Sequence, residues 1–250
     1  MRLSGRTVLI TGGRRVGSQL ALAVARLGAN VAMSWFTSRA AIEATVTQVR
    51  GLGVRAIAVQ ADLRVAADAE RLVAETVREL GSVDVLVNMA SIFSPVAFDD
   101  LTPTDFEANI AANLAGPYYT AVAAARQMRT QPVVDGVQGK IINFTDWAVE
   151  RPYRNFLPYF VAKGGLSAMT AALAVELAPT IAVNSIAPAM IDPPPGLTAE
   201  EIEEIRQASP LKRIGTPGDA VNLALFLLEG SDFVTGATYR VDGGRFLGAG

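Results

Sequence analysis

Short β-branched runs alternate with amphipathic stretches from one end of this chain to the other, and that alternation limits its folds more than any other feature. Thr7–Thr11 reads as a strand and Val16–Leu27 as a helix, then Asn30–Trp35 as a strand and Arg39–Gly51 as a helix. Val54–Gln60 and Val83–Asn88 are strands on either side of a helix over Ala66–Leu80. A long helix is predicted over Thr104–Arg129, kinked or broken near Pro117, followed by a strand at Lys140–Phe144 and a helix at Tyr159–Leu177. Ile181–Ile186, a helix at Gly218–Leu228 and a strand at Thr238–Val241 complete the series. Strands alternating with helices imply right-handed crossover units on a parallel sheet. The strands are apolar on both faces, as helices covering both sides require. The expectation is one α/β domain over residues 1–250, a doubly wound parallel sheet of about seven strands. The cluster Pro193-Pro194-Pro195-Gly196 marks a loop, and residues 190–210 are long enough to form a substrate-binding loop or lid.

Composition narrows the chemistry. Of the 250 residues, 50% are hydrophobic and 18% charged, which fits a large core and argues against disorder. The net charge is -2 with no basic run, so nucleic acid is not an expected partner. With 0 Cys and 0 His, the chain has no thiolate, no imidazole base and no ordinary zinc ligand set, so no metal is expected. Acid–base work falls to Tyr, Lys, Asp or Glu. Met1-Arg2-Leu3-Ser4-Gly5-Arg6 runs straight into the first strand without a leader-like segment, and no apolar stretch has the length of a membrane span. The expected compartment is the cytoplasm and the expected partner a small molecule.

Tyr159 and Lys163 stand four residues apart on a predicted helix, so they share a face and the ammonium can lie near the phenol. A positive charge there favours the phenolate, which makes the pair a proton relay. Asp146 lies thirteen residues ahead of the tyrosine. At the other end of the chain, Thr11-Gly12-Gly13-Arg14-Arg15-Val16-Gly17-Ser18 turns from the first strand into the first helix, where backbone N–H groups can meet a pyrophosphate. NAD sites place a carboxylate near the end of the second strand. Here that end reads Ser34-Trp35-Phe36-Thr37-Ser38-Arg39. Arg14, Arg15 and Arg39 with the hydroxyls of Thr37 and Ser38 suit a 2′-phosphate instead, so NADP(H) is expected over NAD(H). Arg39 reads equally well as the first residue of a solvated helix.

These motifs together resemble the short-chain dehydrogenase/reductase family over nearly the whole chain. The resemblance rests on the glycine turn, Ala61-Asp62-Leu63 after the third strand, and Asn88-Met89-Ala90-Ser91 after the fourth. It continues through Asn113 in Asn-Leu-Ala-Gly, Tyr159-x-x-x-Lys163, Val183-Asn184-Ser185-Ile186-Ala187-Pro188, and Thr235-Gly236 with Val241-Asp242-Gly243-Gly244. It implies a Rossmann-type fold and a homotetramer, with the Tyr159 helix and the last strand at the interfaces. With the residue reading above, it gives expected cofactor contacts from Thr11, Gly12, Arg14, Arg15, Val16, Gly17, Thr37, Ser38, Arg39, Asp62 (at the adenine), Leu63, Asn88, Ala90, Tyr159, Lys163, Pro188 and Ile191. The family's catalytic set of Asn, Ser, Tyr and Lys maps onto Asn113, Tyr159 and Lys163, with Asp146 at the serine position. In the family the lysine also holds the nicotinamide ribose, and Asn113 is expected to hold a water that links Lys163 to solvent.

Asp146, Arg15-Val16-Gly17 and Asn88–Phe93 resemble the pteridine and dihydromonapterin reductases of the family. In those relatives the aromatic at Phe93 sandwiches a pterin against the nicotinamide, and the arginine at Arg15 reaches both cofactor phosphate and pterin. Arg15, Ser91, Phe93, Asp146 and Tyr159 are accordingly the expected substrate contacts. The chain departs from those relatives in a glycine turn one residue shorter, in Met89 for a second asparagine, in Ala189 for glycine, and in Phe36 where an NADP-binding Arg or His often sits. An ionised carboxylate repels the alkoxide of ketone reduction, whereas an acid that relays a proton serves reduction of C=N. The main expectation is therefore an NADPH-dependent reductase of a dihydropterin-type C=N or C=O bond. A 3-oxoacyl carrier-protein reductase or general ketone reductase stands beside it, because a desolvated Asp146 that stays protonated mimics the serine. An NADP(H)-sensing protein without turnover is the third reading. Asp146 also reads as a loop cap and Phe93 as core.

Overall fold

The alternating pattern folds as the periodicity requires. A computed structural model describes residues 1–193 and 196–248; Pro194 and Pro195 of the proline cluster lie outside the described residues. Strands β1 (Thr7–Thr11), β2 (Asn30–Trp35), β3 (Ala56–Gln60), β4 (Val85–Asn88), β5 (Gly139–Phe144), β6 (Ile181–Pro188) and β7 (Thr238–Val241) form one sheet in the order β3-β2-β1-β4-β5-β6-β7. Every neighbouring pair is parallel. Helices α1 (Val16–Arg26), α2 (Arg39–Arg50), α3 (Ala66–Leu80), α4 (Pro103–Ile110), α5 (Gly116–Met128), α6 (Leu157–Glu176), α7 (Ala199–Gln207) and α8 (Pro217–Leu225) connect them. This is a single-domain Rossmann-type sheet with helices on both sides.

Burial explains the strand composition. Val8 and Ile10 of β1 join the core beneath α1 and α8, while Leu9 faces the opposite core beneath α3 and α5. Each fully buried Leu, Ile or Val contributes roughly 1.5–3 kcal/mol, so both faces of the central strands must be apolar. The strand order reverses between β1 and β4, where Thr11 pairs with Asn88. A doubly wound sheet opens a crevice at that point, beyond the carboxyl ends of its strands.

Two expectations change. The helix predicted over Thr104–Arg129 is interrupted by a π-helical turn at Ala111–Ala115, so the break precedes Pro117, which sits in the first turn of α5. Proline is tolerated there because its missing N–H is not needed in a first turn. The predicted loop over 190–210 contains α7, which opens with a capping box. Thr198 and Glu201 satisfy each other's backbone N–H groups.

Candidate active site

The crevice above β1 and β4 is a cleft of about 970 Å³ that runs from the glycine turn to α6. Gly12 and Gly13 form its first wall, both with left-handed φ (63° and 80°). A Cβ on Gly12 would lie 2.9 Å from the Cα of Ala90, and one on Gly13 would lie 3.0 Å from the Cα of Gly17. α1 starts here with no side-chain cap and no acidic residue in its first turn. Its N-terminal N–H groups and macrodipole face the cleft without a competing carboxylate. The cradle fits the diphosphate of a dinucleotide.

The opposite wall carries the titratable groups. β5 ends at Phe144, and Asp146 caps the single 3₁₀ turn Trp147–Glu150 by accepting the Ala148 N–H on Oδ1 at 2.8 Å. Its other oxygen, Oδ2, accepts the Tyr159 hydroxyl at 2.9 Å. Asp146 is thus a loop cap that also lines the cleft. Burial pushes its carboxyl above the usual range, opposed by the Ala148 and Tyr159 hydrogen bonds and by the charges of Lys163 and Arg245. Tyr159 is held well above its ordinary value by burial first, then by Asp146.

Lys163 is 4% exposed, and its Nζ donates to the Phe144 carbonyl at 2.7 Å. Burial lowers its pKa to about 8 against the opposing charge of Asp146. Its Nζ stands 5.8 Å from the centre of the Tyr159 ring. The expectation that the ammonium depresses the phenol is corrected here, because desolvation and the neighbouring carboxylate outweigh it.

Fourteen of the expected contacts line the cleft: Gly12, Arg14, Arg15, Val16, Thr37, Ser38, Ala90, Ser91, Phe93, Asp146, Tyr159, Lys163, Pro188 and Ile191. Thr11, Gly17, Arg39, Asp62, Leu63, Asn88 and Asn113 lie outside its lining. Thr11 accepts the Met89 N–H on Oγ1 at 3.1 Å and so ties the two strand ends together. Gly17 packs under the turn, where a Cβ would meet the Gly12 carbonyl at 3.1 Å. Arg39 pairs with Glu43 at 2.8 Å one helical turn on, the solvated-helix role. Asp62 is clasped by both ends of the Arg64 guanidinium, and Arg64 lies 5.0 Å over the Phe36 ring. Leu63 packs in the core, with its carbonyl against Gly116. Asn88 is buried and donates to the Asn143 side chain at 3.0 Å, while its own Oδ1 has no partner among the described residues.

Asn113 is engaged through its side chain behind the cleft. It sits in the π-helical turn, fully buried, with its amide committed to four hydrogen bonds. It accepts from the Ile92 N–H and the Ser91 hydroxyl, and donates to the Ile92 carbonyl and Asn109. It pins the segment that carries Phe93, and its side-chain hydrogen bonds do not include Lys163. Phe93, 51% exposed, has one face stacked on Phe156 at 4.3 Å and meets Tyr159 edge-on at 4.8 Å. Phe93 thus keeps about half of its surface exposed in the cleft lining. Arg15 donates to the carbonyl of Asp192, with the Asp192 carboxylate 3.8 Å away, and so straps the segment after β6 across the cleft.

Trp35, Phe36, Trp147, Tyr153, Phe156, Met190, Ile205 and Arg245 also line the cleft and were not anticipated. The aromatics between Asp146 and Tyr159 were visible as a cluster ahead of α6. Arg245 had no local signal, because only folding brings the last segment back over β5. Among the described residues no group of three potential metal ligands occurs, and no helix is long and apolar enough to cross a membrane.

Comparison with known proteins agrees with this architecture. The family model described as Enoyl-(Acyl carrier protein) reductase matches residues 13–245. A 3-oxoacyl-[acyl-carrier-protein] reductase of Synechocystis sp. is 33% identical over 98% of both chains. Among solved structures, a short chain dehydrogenase from Burkholderia cenocepacia in complex with NADP superimposes with TM-score 0.89 at 30% identity, covering 98% of this chain and 99% of that one. A 7α-hydroxysteroid dehydrogenase complexed with NADH and 7-oxo glycochenodeoxycholic acid gives TM-score 0.90 at 30% identity, covering 97% of this chain and 95% of that one.

Proposed function

Because this chain belongs to the short-chain dehydrogenase/reductase family, we propose that it reduces a ketone on a small molecule with NADP(H), Tyr159 delivering the proton and Asp146 assisting. The 2.9 Å hydrogen bond from Tyr159 to Asp146 at the cleft wall carries this reading. When bound, the reduced nicotinamide supplies hydride. Gly12, Gly13 and the start of α1 would hold the diphosphate. Arg14, Thr37 and Ser38 line the end where a 2′-phosphate would lie, and Asp146 is the one acidic residue in the cleft lining among the described residues. The NADP complex of the Burkholderia relative supports that choice, and the NADH complex of the steroid dehydrogenase makes it worth measuring.

Tyr159 keeps its proton through the neutral range because burial and Asp146 oppose ionisation, so it serves as a general acid. Desolvation favours the protonated form of Asp146; in that form it donates a hydrogen bond to the developing alkoxide, as a serine hydroxyl would, while burial still holds Tyr159 protonated. Lys163, behind the tyrosine, stabilises the negative charge left when the phenol gives up its proton. The relatives named for 3-oxoacyl and 7-oxo compounds support a C=O substrate. Reduction of a C=N bond in a dihydropterin is the second reading, favoured by the half-exposed Phe93 beside Tyr159.

The test follows NADPH oxidation with ketones, 3-oxoacyl thioesters and dihydropterins. Turnover of ketones or thioesters is expected, with NADPH bound at least ~10-fold tighter than NADH, about 1.4 kcal/mol. Tyr159→Phe should lower turnover by at least ~10²-fold while NADPH still binds. Asp146→Ser should preserve or raise ketone turnover. Activity on dihydropterins alone, lost in Asp146→Ser, transfers the assignment to the second reading.

A further inference from the structure

We propose that Arg245 is the substrate-recognition residue for an acidic group, so that the ketone reduced in this cleft carries a carboxylate. The inference rests on the reductase reading above and adds the class of substrate.

A census of the cations around the cleft singles this residue out. Arg15 is committed to Asp192, and Lys163 to the Phe144 carbonyl. Arg14 stands at the glycine turn, at the phosphate end. Just behind the cleft, Arg240 pairs with Glu150 at 2.9 Å, and Arg213 clasps Asp219 through two nitrogens at 2.8 Å. The Arg245 guanidinium has no hydrogen bond or ion pair among the described residues. It is half-buried, stands 4.9 Å from the centre of the Trp147 ring, and feels the charge of Asp146. Burial pushes it below its ordinary value. A guanidinium withdrawn from water with five unmatched donors is costly unless an anion completes it, and its planar fork matches a carboxylate.

Its support is rigid, as a recognition residue requires. Asp242 accepts the Gly244 N–H at 3.0 Å and the Phe246 N–H at 2.9 Å, fixing the turn on both sides of Arg245. Arg151 donates to the Phe246 carbonyl beneath it. A second observation gives the acidic tail somewhere to go. A side pocket of about 370 Å³ adjoins the cleft, and the two share Ala189, Met190, Ile205 and Arg245 in their walls. Arg245 thus stands at the junction of a pocket that holds the catalytic pair and one that leads away from it. Asp146 makes no ion pair with Arg245 at contact distance; its hydrogen bonds go to the Ala148 N–H and the Tyr159 hydroxyl.

The experiment compares 4-oxopentanoate and 5-oxohexanoate with their methyl esters, which keep the carbonyl and remove the charge. For at least one pair, kcat/KM in the wild type is expected to favour the acid by at least ~10-fold, through KM. Arg245→Gln should collapse that ratio towards one, and Arg245→Lys should retain part of it. Esters used as well as acids by the wild type would overturn the proposal. So would an Arg245→Gln enzyme in which acid and ester fall equally, since Arg245 would then act through Asp146. NADPH titration verifies that each variant is folded, and the lysine variant stands in if the glutamine variant is not. If neither acid nor ester is reduced, the ketone reading fails, and the anion site is judged separately on the NADPH complex. In a Trp35→Phe background, quenching of Trp147 fluorescence by the acids but not the esters, lost on Arg245→Gln, supports the site; identical titrations overturn it.

Discussion

Lys163 is governed by burial more than by its partners. The side chain is almost wholly enclosed, its one hydrogen bond goes to a neutral carbonyl, and the pKa falls to about 8. Between about 8 and the ordinary value of 10.5, the folded chain binds fewer protons here than the unfolded chain. Stability therefore rises with pH across that window, and the cost of the buried ammonium is fully present below it. Catalysis runs the other way, because the charge that stabilises the phenolate left when Tyr159 gives up its proton disappears as pH rises through about 8. The rate of reduction should be level on the acid side of that value and fall on the alkaline side, while Tyr159, with its raised pKa, stays protonated. A pH–rate profile of the wild type beside Lys163→Met tests this. A wild-type profile level to pH ~10, close to the ordinary lysine value, would take Lys163 out of the proton step.

At the scale of elements, the site is built by two irregularities. One is the glycine turn, where the backbone of the β1–α1 connection comes so close to the β4–α4 connection that no Cβ fits at Gly12. Gly12→Ala places a side chain in a left-handed conformation at about 1–2 kcal/mol and drives it into Ala90. Chemical denaturation should show at least that loss, and NADPH affinity should fall by at least ~10-fold as the cradle opens. Normal affinity in a destabilised variant would mean that the diphosphate is held elsewhere. The other irregularity is the π-helical turn at Ala111–Ala115, a feature frequent at functional sites. It places Asn113 against the Ile92 backbone, and through that contact it orients Phe93.

For the molecule as a whole, the surface left after folding remains apolar in places. Leu157, Val161 and Val175 of α6 are exposed, as are Phe106 of α4 and Tyr118 of α5. A helix that presents apolar residues to water in a chain of this composition calls for a partner, and the expected partner is a second copy of the chain. Light scattering should report a species of four times the 26.3 kDa chain mass. Val161→Glu should lower that mass, because an unpaired carboxylate resists burial in an interface. A monomeric wild type at micromolar concentration would set this expectation aside.

The one-dimensional pattern by itself determined the element order, the parallel sheet and the chemistry available. Strand and helix periods are local properties, and a chain without His or Cys leaves few residue types to move a proton. Gly12, Asp146, Tyr159 and Lys163 were legible because fixed spacings along strand ends and helix faces translate into proximity. Asn113 was legible as a motif, but its work was not, since four hydrogen bonds to residues up to 22 positions away decide it. Arg39 reads as a phosphate ligand along the chain, and the fold adds an exposed ion pair with Glu43 on its own helix. α7 was hidden in a polar, proline-flanked stretch whose helix rests on its cap rather than on a buried face. Arg245 belongs wholly to the tertiary structure. Its electrostatic meaning comes from having no partner at the junction of two pockets, and an unmet charge is a property of the assembled surroundings rather than of any residue's neighbours in the chain.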